Sequence, residues 1–334
     1  MNPETRKVQV TGGSTYIISL PKSWAESNKI EKGDSLTLWP RDDGHLILEP
    51  RTISKKKTEE ITLPVESPTH LLRRLIGLYM AGHRQMKLKT EDRMSQETRK
   101  AIKELTKRAV GTEIIEESSD FVLIQDFLDP SDLPLDKTVR RMFMMAASMF
   151  TDSIISVMEN NIDLAKDVQS RDDEIDRLYW LVSKQFNMVL NDPILASKMG
   201  MTSPQCMNFR AVATSIERIA DHACKIAANS TELKKTDVAP KTLKLIDEYS
   251  SFSADLFEKS VKSFYGKDLK LANETMDIAE EGATFRKQLA RNIPKADSTV
   301  AVALAFISDS IERVASYSTN ICEIAINHVT LEES

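Results

Sequence analysis

Glycine is scarce, with ten residues in a chain of 334. The pair Gly12-Gly13 opens no strand-to-helix turn of dinucleotide type, and neither a phosphate-binding Gly loop nor a Gly-x-Ser-x-Gly elbow occurs. The five histidines, His45, His70, His83, His222 and His328, are scattered along the chain. These absences leave little for catalysis to be built on, and a non-enzymatic protein is expected. The three cysteines, Cys206, Cys224 and Cys322, form no close pair of zinc or redox type. They read as small buried apolar groups in a reducing compartment. No run reaches the roughly 18 consecutive apolar residues of a membrane span. The opening residues, MNPETRKVQV, lack the apolar core of a secretory signal. A soluble, cytoplasmic chain without membrane insertion is the expectation.

What is present divides into segments. A hydrophobic content of 41% over 334 residues implies two or three domains. The net charge is −5, yet residues 1–57 hold ten Lys and Arg against seven Asp and Glu, a local surplus of three positive charges. That sign difference points to a polyanion at the N-terminal end. There, Val8 and Val10, then Tyr16, Ile18 and Leu20, then Leu36 and Leu38, then Leu46 and Leu48 alternate as strands, separated by Gly12-Gly13, Gly33-Asp34 and Asp43-Gly44. Pro21 suits the first turn of a short helix. So small a segment has too few large apolar side chains for a core of its own, and an intertwined homodimer through residues 1–52 is predicted.

The polar run Ser54-Lys55-Lys56-Lys57-Thr58 reads as a linker. A small α+β domain over 58–130 follows, in the order β-α-β-α-β-β. Its first strand carries Ile61, Leu63 and Val65, and its helices are capped by Ser67-Pro68 and Ser95. Residues 134–332 are helical, with interruptions at Asp192-Pro193, Gly200, Pro240, Gly266 and Pro294 that divide them into about six long helices. They also repeat, over about 134–230 and 240–332. Ser215-Ile216-Glu217-Arg218-Ile219-Ala220-Asp221 recurs as Ser310-Ile311-Glu312-Arg313-Val314-Ala315-Ser316, and Leu164-Ala165 recurs as Leu271-Ala272. Two duplicated three-helix bundles follow.

Two constellations carry chemistry. Asp172 with Asp176, and Glu217 with Asp221, are i,i+4 pairs that place like charges a turn apart, where they repel unless something positive offsets them. The apolar stripe Phe209, Val212, Ala213, Ile216, Ile219, Ala223, Ile226 leaves Glu217 and Asp221 on its shoulder. If the helix carrying Asp172 lies beside it, four carboxylates converge. Such oxygens suit Mg²⁺ or Ca²⁺ and can hold Mn²⁺ or ferric iron, with His222 as an outer contributor. The alternative is ordinary salt bridging, Asp221 to Lys225 and Asp173 to Arg177. At the N-terminus, Arg6, Lys7, the loop Gly12-Gly13-Ser14-Thr15 and Lys22 are placed to contact phosphates of double-stranded DNA from a two-fold dimer. Arg6 and Lys7 serve equally well to solvate an edge strand. The methionines Met142, Met144, Met145 and Met149 read as packing or association surface.

Residues 7–22, KVQVTGGSTYIISLPK, continued by Lys32-Gly33-Asp34 and Gly44-His45-Leu46-Ile47-Leu48, resemble the SpoVT/AbrB swapped-hairpin domain. That resemblance implies an interleaved dimer and DNA binding, although Gly12-Gly13-Ser14 replaces the Gly-Arg of many members. Arg171-Asp172-Asp173-Glu174-Ile175-Asp176-Arg177-Leu178 with Glu217-Arg218-Ile219-Ala220-Asp221-His222-Ala223 resembles the repeated Glu/Asp-x-x-x-Asp signature of the PhoU family. The fusion is similar to the archaeal type of PhoU regulator. It implies metal clusters on acidic helix faces and negative control of phosphate transport. In the second repeat Glu280 is followed four on by Thr284, and Glu312 by Ser316, so one acidic site per chain is expected. The expected function is a DNA-binding regulator of phosphate uptake; the alternative is an adaptor that docks on a transporter ATPase, a sensor kinase or another regulator.

Overall fold

Two antiparallel hairpins and one short helix form the N-terminal residues. The computed structural model describes residues 3–40, 44–50, 59–62, 67–233, 238–292 and 298–333, and the chain divides into two compact units, 1–57 and 58–334. In the first unit β1 (Gln9–Thr11) pairs with β2 (Thr15–Ile17), with Val10 opposite Tyr16. Gly12 and Gly13 turn between them at φ +60° and +81°, which side chains other than glycine rarely adopt. Pro21 is extended and sits just before α1 (Lys22–Ser27), one position earlier than the first-turn site expected of it, and its carbonyl accepts from Ala25 N–H at 3.0 Å. β3 (Leu36–Pro40) pairs with β4 (Leu46–Pro50), with Leu38 opposite Leu48. No described residue of this unit is buried. Val10 is 60% and Tyr16 76% exposed, and Val8, Ile18, Leu38 and Leu46 are exposed as well.

The second unit begins with the sheet β5 (Glu59–Thr62), β6 (Gln85–Lys89), β7 (Thr112–Glu117) and β8 (Phe121–Asp126), in the spatial order β5-β6-β8-β7. β5 is parallel to β6 and the other pairs are antiparallel. Leu63, Val65 and the linker lie outside the described residues. Ser67 accepts from His70 N–H to start α2 (Pro68–Met80), and Ser95 accepts from Thr98 N–H to start α3 (Gln96–Arg108). Leu75, Tyr79, Ile102 and Leu105 from these helices meet Met86, Leu88, Val122 and Ile124 from the sheet. This is the β-α-β-α-β-β order of the sequence.

Among the described residues nine helices follow: α4 (Leu135–Glu159), α5 (Ile162–Ser170), α6 (Asp172–Asn191), α7 (Pro193–Lys198), α8 (Ser203–Ser230), α9 (Pro240–Gly266), α10 (Leu269–Ala279), α11 (Gly282–Asn292) and α12 (Ser298–Glu333). The middle helix of each expected three-helix bundle is therefore broken. Asn160 is left-handed at φ +55°, and Asn161 then accepts from Leu164 N–H to start α5; Lys267 at φ +52° and Asp268 do the same for α10. Serines also recur: Ser153 and Ser156 bond back to Phe150 and Ser153 carbonyls, as Ser260 and Ser263 do to Phe257 and Ser260. The duplication is thus written in the backbone as well as in the acidic motif. α8 opens on a capping box between Thr202 and Gln205. Its stripe Val212, Ala213, Ile216, Ile219, Ala223, Ile226 is fully buried in a core shared with α4, α9 and α12. By length and composition α4 is apolar enough to cross a membrane, but Val139, Met142, Ala146 and Met149 are buried in this core. Met144, by contrast, is 65% exposed.

α6 belongs to both cores. Its Trp180 packs with Leu75, Leu105 and Ile124 of the α+β part, whereas Ile175, Leu178 and Val182 face the bundle. Lys184, fully buried, forms an ion pair with the buried Asp126 at the end of β8, and its ammonium lies 4.7 Å from the centre of the Tyr79 ring. Burial lowers the Lys184 pKa and the Asp126 carboxylate opposes that. Gly111, at φ +86°, makes room here, since a Cβ would come within 2.6 Å of Leu128 Cβ and 3.1 Å of Asp126 Oδ1. Gln185 donates to the carbonyls of Pro130 and Leu133, and Asn187 to that of Met80, at 2.7–2.8 Å. Lys184→Met should destabilise the chain by about 3 kcal/mol in denaturant unfolding, because Asp126 is left charged and buried. The double variant Lys184→Met/Asp126→Asn should recover most of the loss.

Candidate functional site

Asp172 and Asp176 begin α6, and Glu217 and Asp221 lie midway along α8, on the flank of its buried stripe. The two helices pack together, and all four carboxylates fall within electrostatic reach of one another. Burial and the neighbouring Asp172 push Asp176 up to about 6, and burial and Asp221 push Glu217 up to about 7. Burial, then Asp221, raises Asp172 as well. Each shift has one origin: ionisation here places a negative charge in a half-buried pocket that already holds others.

The counter-charges are arginines. Arg108, the last residue of α3, brings one guanidinium nitrogen to 2.8 Å from both Asp173 Oδ1 and Asp176 Oδ2, while its guanidinium carbon stands 4.8 Å from the centre of the Trp180 ring. Arg218 lies 3.2 Å from Asp221 and 3.4 Å from Glu217. Arg177 pairs with Glu174 at 2.9 Å and donates to the Arg108 carbonyl at 3.2 Å. Asp221 and Asp173 thus take their cations from Arg218 and Arg108 rather than from Lys225 and Arg177. Glu217 Oε2 is buried and lies 3.4 Å from Arg218 Nε, an ion pair without hydrogen-bond geometry. His222 turns away from the acids: it is buried, its Nδ1 lies 3.2 Å from Ser310 Oγ, and burial lowers its pKa to about 4. Cys224 is half-buried beside Asp172, and burial pushes its thiol well up.

An all-oxygen donor set has the chemistry of a hard-cation site. Among the described residues, however, no three His, Cys, Asp or Glu side chains are gathered as a metal ion would need them. In the second repeat the motif positions are Glu280, Thr284, Glu312 and Ser316. Glu280, Glu312 and Ser316 line a cavity of about 310 Å³ with Tyr249 and Met276, and Glu312 is paired with Arg286 at 2.7 Å.

In the first unit, Arg6 and Lys7 precede the open end of the β1–β2 hairpin, and Gly12, Gly13 and Ser14 form its turn with Thr15 opening β2, so the ladder separates the two groups. Arg6 is ion-paired with Glu4, and Lys22 lies 3.6 Å from Glu26. Both pairs are exposed, and pairs of this kind are worth about 0–1 kcal/mol, so a phosphate can replace the carboxylate.

Fold and site together define a duplicated helical bundle with one acidic face, preceded by a separate hairpin unit. The PhoU domain model matches residues 139–230 and again 246–325, and this chain belongs to the PhoU family. Residues 9–57 match the family described as antidote-toxin recognition MazE, bacterial antitoxin. A phosphate-specific transport system accessory protein PhoU homolog from Xylella fastidiosa is 27% identical over 185 residues, 52% of this chain and 72% of that protein. PhoU homolog 2 from Thermotoga maritima is 27% identical over 184 residues, 53% and 77% of the two chains. The crystal structure of PhoU from Pseudomonas aeruginosa shares the fold at TM-score 0.53 and 18% identity, over 59% of this chain and 95% of that one. That of the PhoU phosphate transport regulatory protein from Streptococcus pneumoniae gives 0.52 and 16%, over 59% and 93%.

Sequence reasoning missed Arg108. It stands 64 residues before Asp172 in a different segment, and its only local mark is that of a basic residue in a helix's last turn. The raised carboxylates give a signed test in metal-free protein. A folded-state pKa above the unfolded value contributes stability at low pH that is lost as pH rises through the folded value. Between pH 5 and 7.5 the wild type should therefore lose more thermal stability than Asp176→Asn/Glu217→Gln, by roughly 3–6 °C in calorimetry.

Proposed function

We propose that this chain is a cytoplasmic, non-catalytic regulator of phosphate transport that dimerises through its N-terminal unit, binds duplex DNA with it, and holds a hard cation on the acidic face of α6 and α8. The observation that carries this reading is the fusion itself. A hairpin unit matching an antitoxin family, without a buried side chain among its described residues, precedes a two-repeat PhoU bundle. Exposed Val10, Tyr16, Leu38 and Leu46 are the apolar surface that a second copy would cover. A two-fold pair of such hairpins doubles every basic residue, so Arg6, Lys7 and Lys22 become six cations, joined by two Gly12-Gly13-Ser14-Thr15 segments at the far ends of the β1–β2 ladders. That pattern suits phosphates on two faces of a DNA groove. Mg²⁺, Ca²⁺, Mn²⁺ and ferric iron share the oxygen preference of Asp172, Asp176, Glu217 and Asp221. The relatives named for phosphate transport supply the physiological setting.

Sedimentation should find a dimer for the wild type and a monomer for Leu38→Asp, whose charge would enter the covered face. In gel shifts with fragments from upstream of phosphate-transport genes, the wild type should bind with a steep salt dependence. Arg6→Ala/Lys7→Ala should flatten the log–log salt slope by about 3–4, since a dimer loses four phosphate contacts. Absence of wild-type binding, with or without divalent metal, would leave the chain as an adaptor for a transporter ATPase or sensor kinase.

A further inference from the structure

The outward side of α4 carries a surface that neither the acidic face nor the N-terminal unit uses. Lys137, Arg140, Met144 and Ser148 are exposed and recur at helical spacing along it, a run of about 16 Å. Met144, with Arg140, borders two hollows at once. One, of about 430 Å³, is walled by Lys137, Arg141, Met145 and Arg171; the other, of about 550 Å³, by Phe143 and by Val261, Lys262 and Tyr265 near the end of α9. The floor is apolar and the rim is basic. Among the described residues Glu258 is the single acid lining either hollow, against five cations.

Arg141 pairs with Glu174, and Arg171 with Asp152. Lys137, Arg140 and Lys262, by contrast, have no ion pair among the described residues. Arg140 lies against the Tyr265 ring, its guanidinium carbon 4.6 Å from the ring centre, and the Tyr265 hydroxyl donates to the Asp136 carbonyl at 2.7 Å. That stacking holds the fork on the rim with its charge unmatched.

The second repeat supplies the contrast. Ser260 and Ser263 of α9 answer Ser153 and Ser156 of α4, and Lys267 answers Asn160. At the same offset Arg140, Arg141, Met144 and Ser148 correspond to Asp247, Glu248, Ser251 and Asp255, all exposed. There Glu248 lies 3.6 Å from Lys244, and Asp255 2.7 Å from Lys259, as on a solvated helix face. The α4 face is cationic and apolar instead, in a chain of net charge −5.

We propose that the groove along α4 and the end of α9 is a docking site for an acidic amphipathic helix of a partner protein. Methionine adapts to varied apolar anchors, and a helix laid in a groove offers such anchors at i, i+3 or i+4 and i+7. Anchors on the two sides of Met144 fill the two hollows, while flanking carboxylates meet Lys137, Arg140 and Lys262. Hollows suit a helix better than a lipid surface, which is met by side chains that protrude. The site stands apart from the DNA and cation readings above.

The probe is a synthetic, fluorescein-labelled helical peptide with leucines at i, i+4 and i+7 and glutamates beside them, titrated with the full chain and read by fluorescence anisotropy. The wild type should bind it at least about tenfold tighter than the same peptide with glutamine for glutamate, and binding should weaken as salt rises. Arg140→Asp/Met144→Ser places the α9 residues on α4 and should weaken binding at least about tenfold with the thermal midpoint unchanged. Lys262→Glu, on the opposite wall, should weaken it as well. Phe306→Ser, which removes an exposed side chain outside the groove, should bind as the wild type does. Equal binding of the two peptides, binding of neither, or unchanged binding by the double variant would overturn the proposal. So would a smaller assembly for the double variant in sedimentation, which would make the groove a contact between copies, or flotation with phosphatidylserine vesicles that this variant loses, which would make it a membrane surface.

Discussion

One helix serves two cores, and the ion pair of Lys184 with Asp126 is the contact on which that sharing depends. α6 turns Ile175, Leu178 and Val182 to the bundle and Trp180 to the sheet-and-helix layer, so neither core is complete without it. A fully buried ammonium is tolerated only because it finds a carboxylate and an aromatic face. The demand spreads outward from there. Gly111 must lack a side chain so that the Asp126 turn can close, and Tyr79 must sit under the ammonium with its hydroxyl donating to the Val110 carbonyl at 3.0 Å. The same helix begins with Asp172 and Asp176, which makes its N-terminal half the acidic face and its C-terminal half the anchor.

The N-terminal unit obeys the opposite constraint. It is rich in strand signals and poor in volume, and its hairpins bring Val10, Tyr16, Leu38 and Leu46 out to solvent. A segment that buries nothing cannot offset the entropy of ordering its own backbone. On the proposed reading, dimerisation is a condition of folding for such a unit rather than an addition to it, and its cations are doubled by the same step.

Much of the architecture was legible because its signals are local. Ser67, Ser95 and the Thr202–Gln205 pair mark helix starts through hydrogen bonds made within three residues, and the α8 stripe is one face of a single helix. The helix end at Asn160 was not legible, because left-handed helix ends are usually announced by glycine and here Asn carries it, whereas the end at Lys267 was marked by its neighbour Gly266. Their signature was relational: each precedes an Asx cap, in equivalent positions of two repeats. The candidate site was half legible. The acid spacings within α6 and α8 follow from helix geometry, but the cation that meets Asp176 comes from another segment, and His222 turned inward to Ser310 because its helix rotates it into the core.

Charge repulsion makes the acidic face costly to hold. Asp172, Asp176 and Glu217, whose pKa values are raised by burial and then by neighbouring carboxylates, stabilise nothing by themselves, and uncharged side chains in their places would relieve the repulsion. The second repeat has gone part of the way, with Thr284 and Ser316 at two of the four motif positions, while Glu280 and Glu312 still line the cavity there and Glu312 is paired with Arg286. The first repeat has not, and it spends two arginines, one drawn from outside the bundle, on holding the charge in check. Under the cation-binding proposal that charge is the cost of a binding face, and Arg108, which crosses from α3 to Asp173 and Asp176, ties the start of α6 to the α+β part.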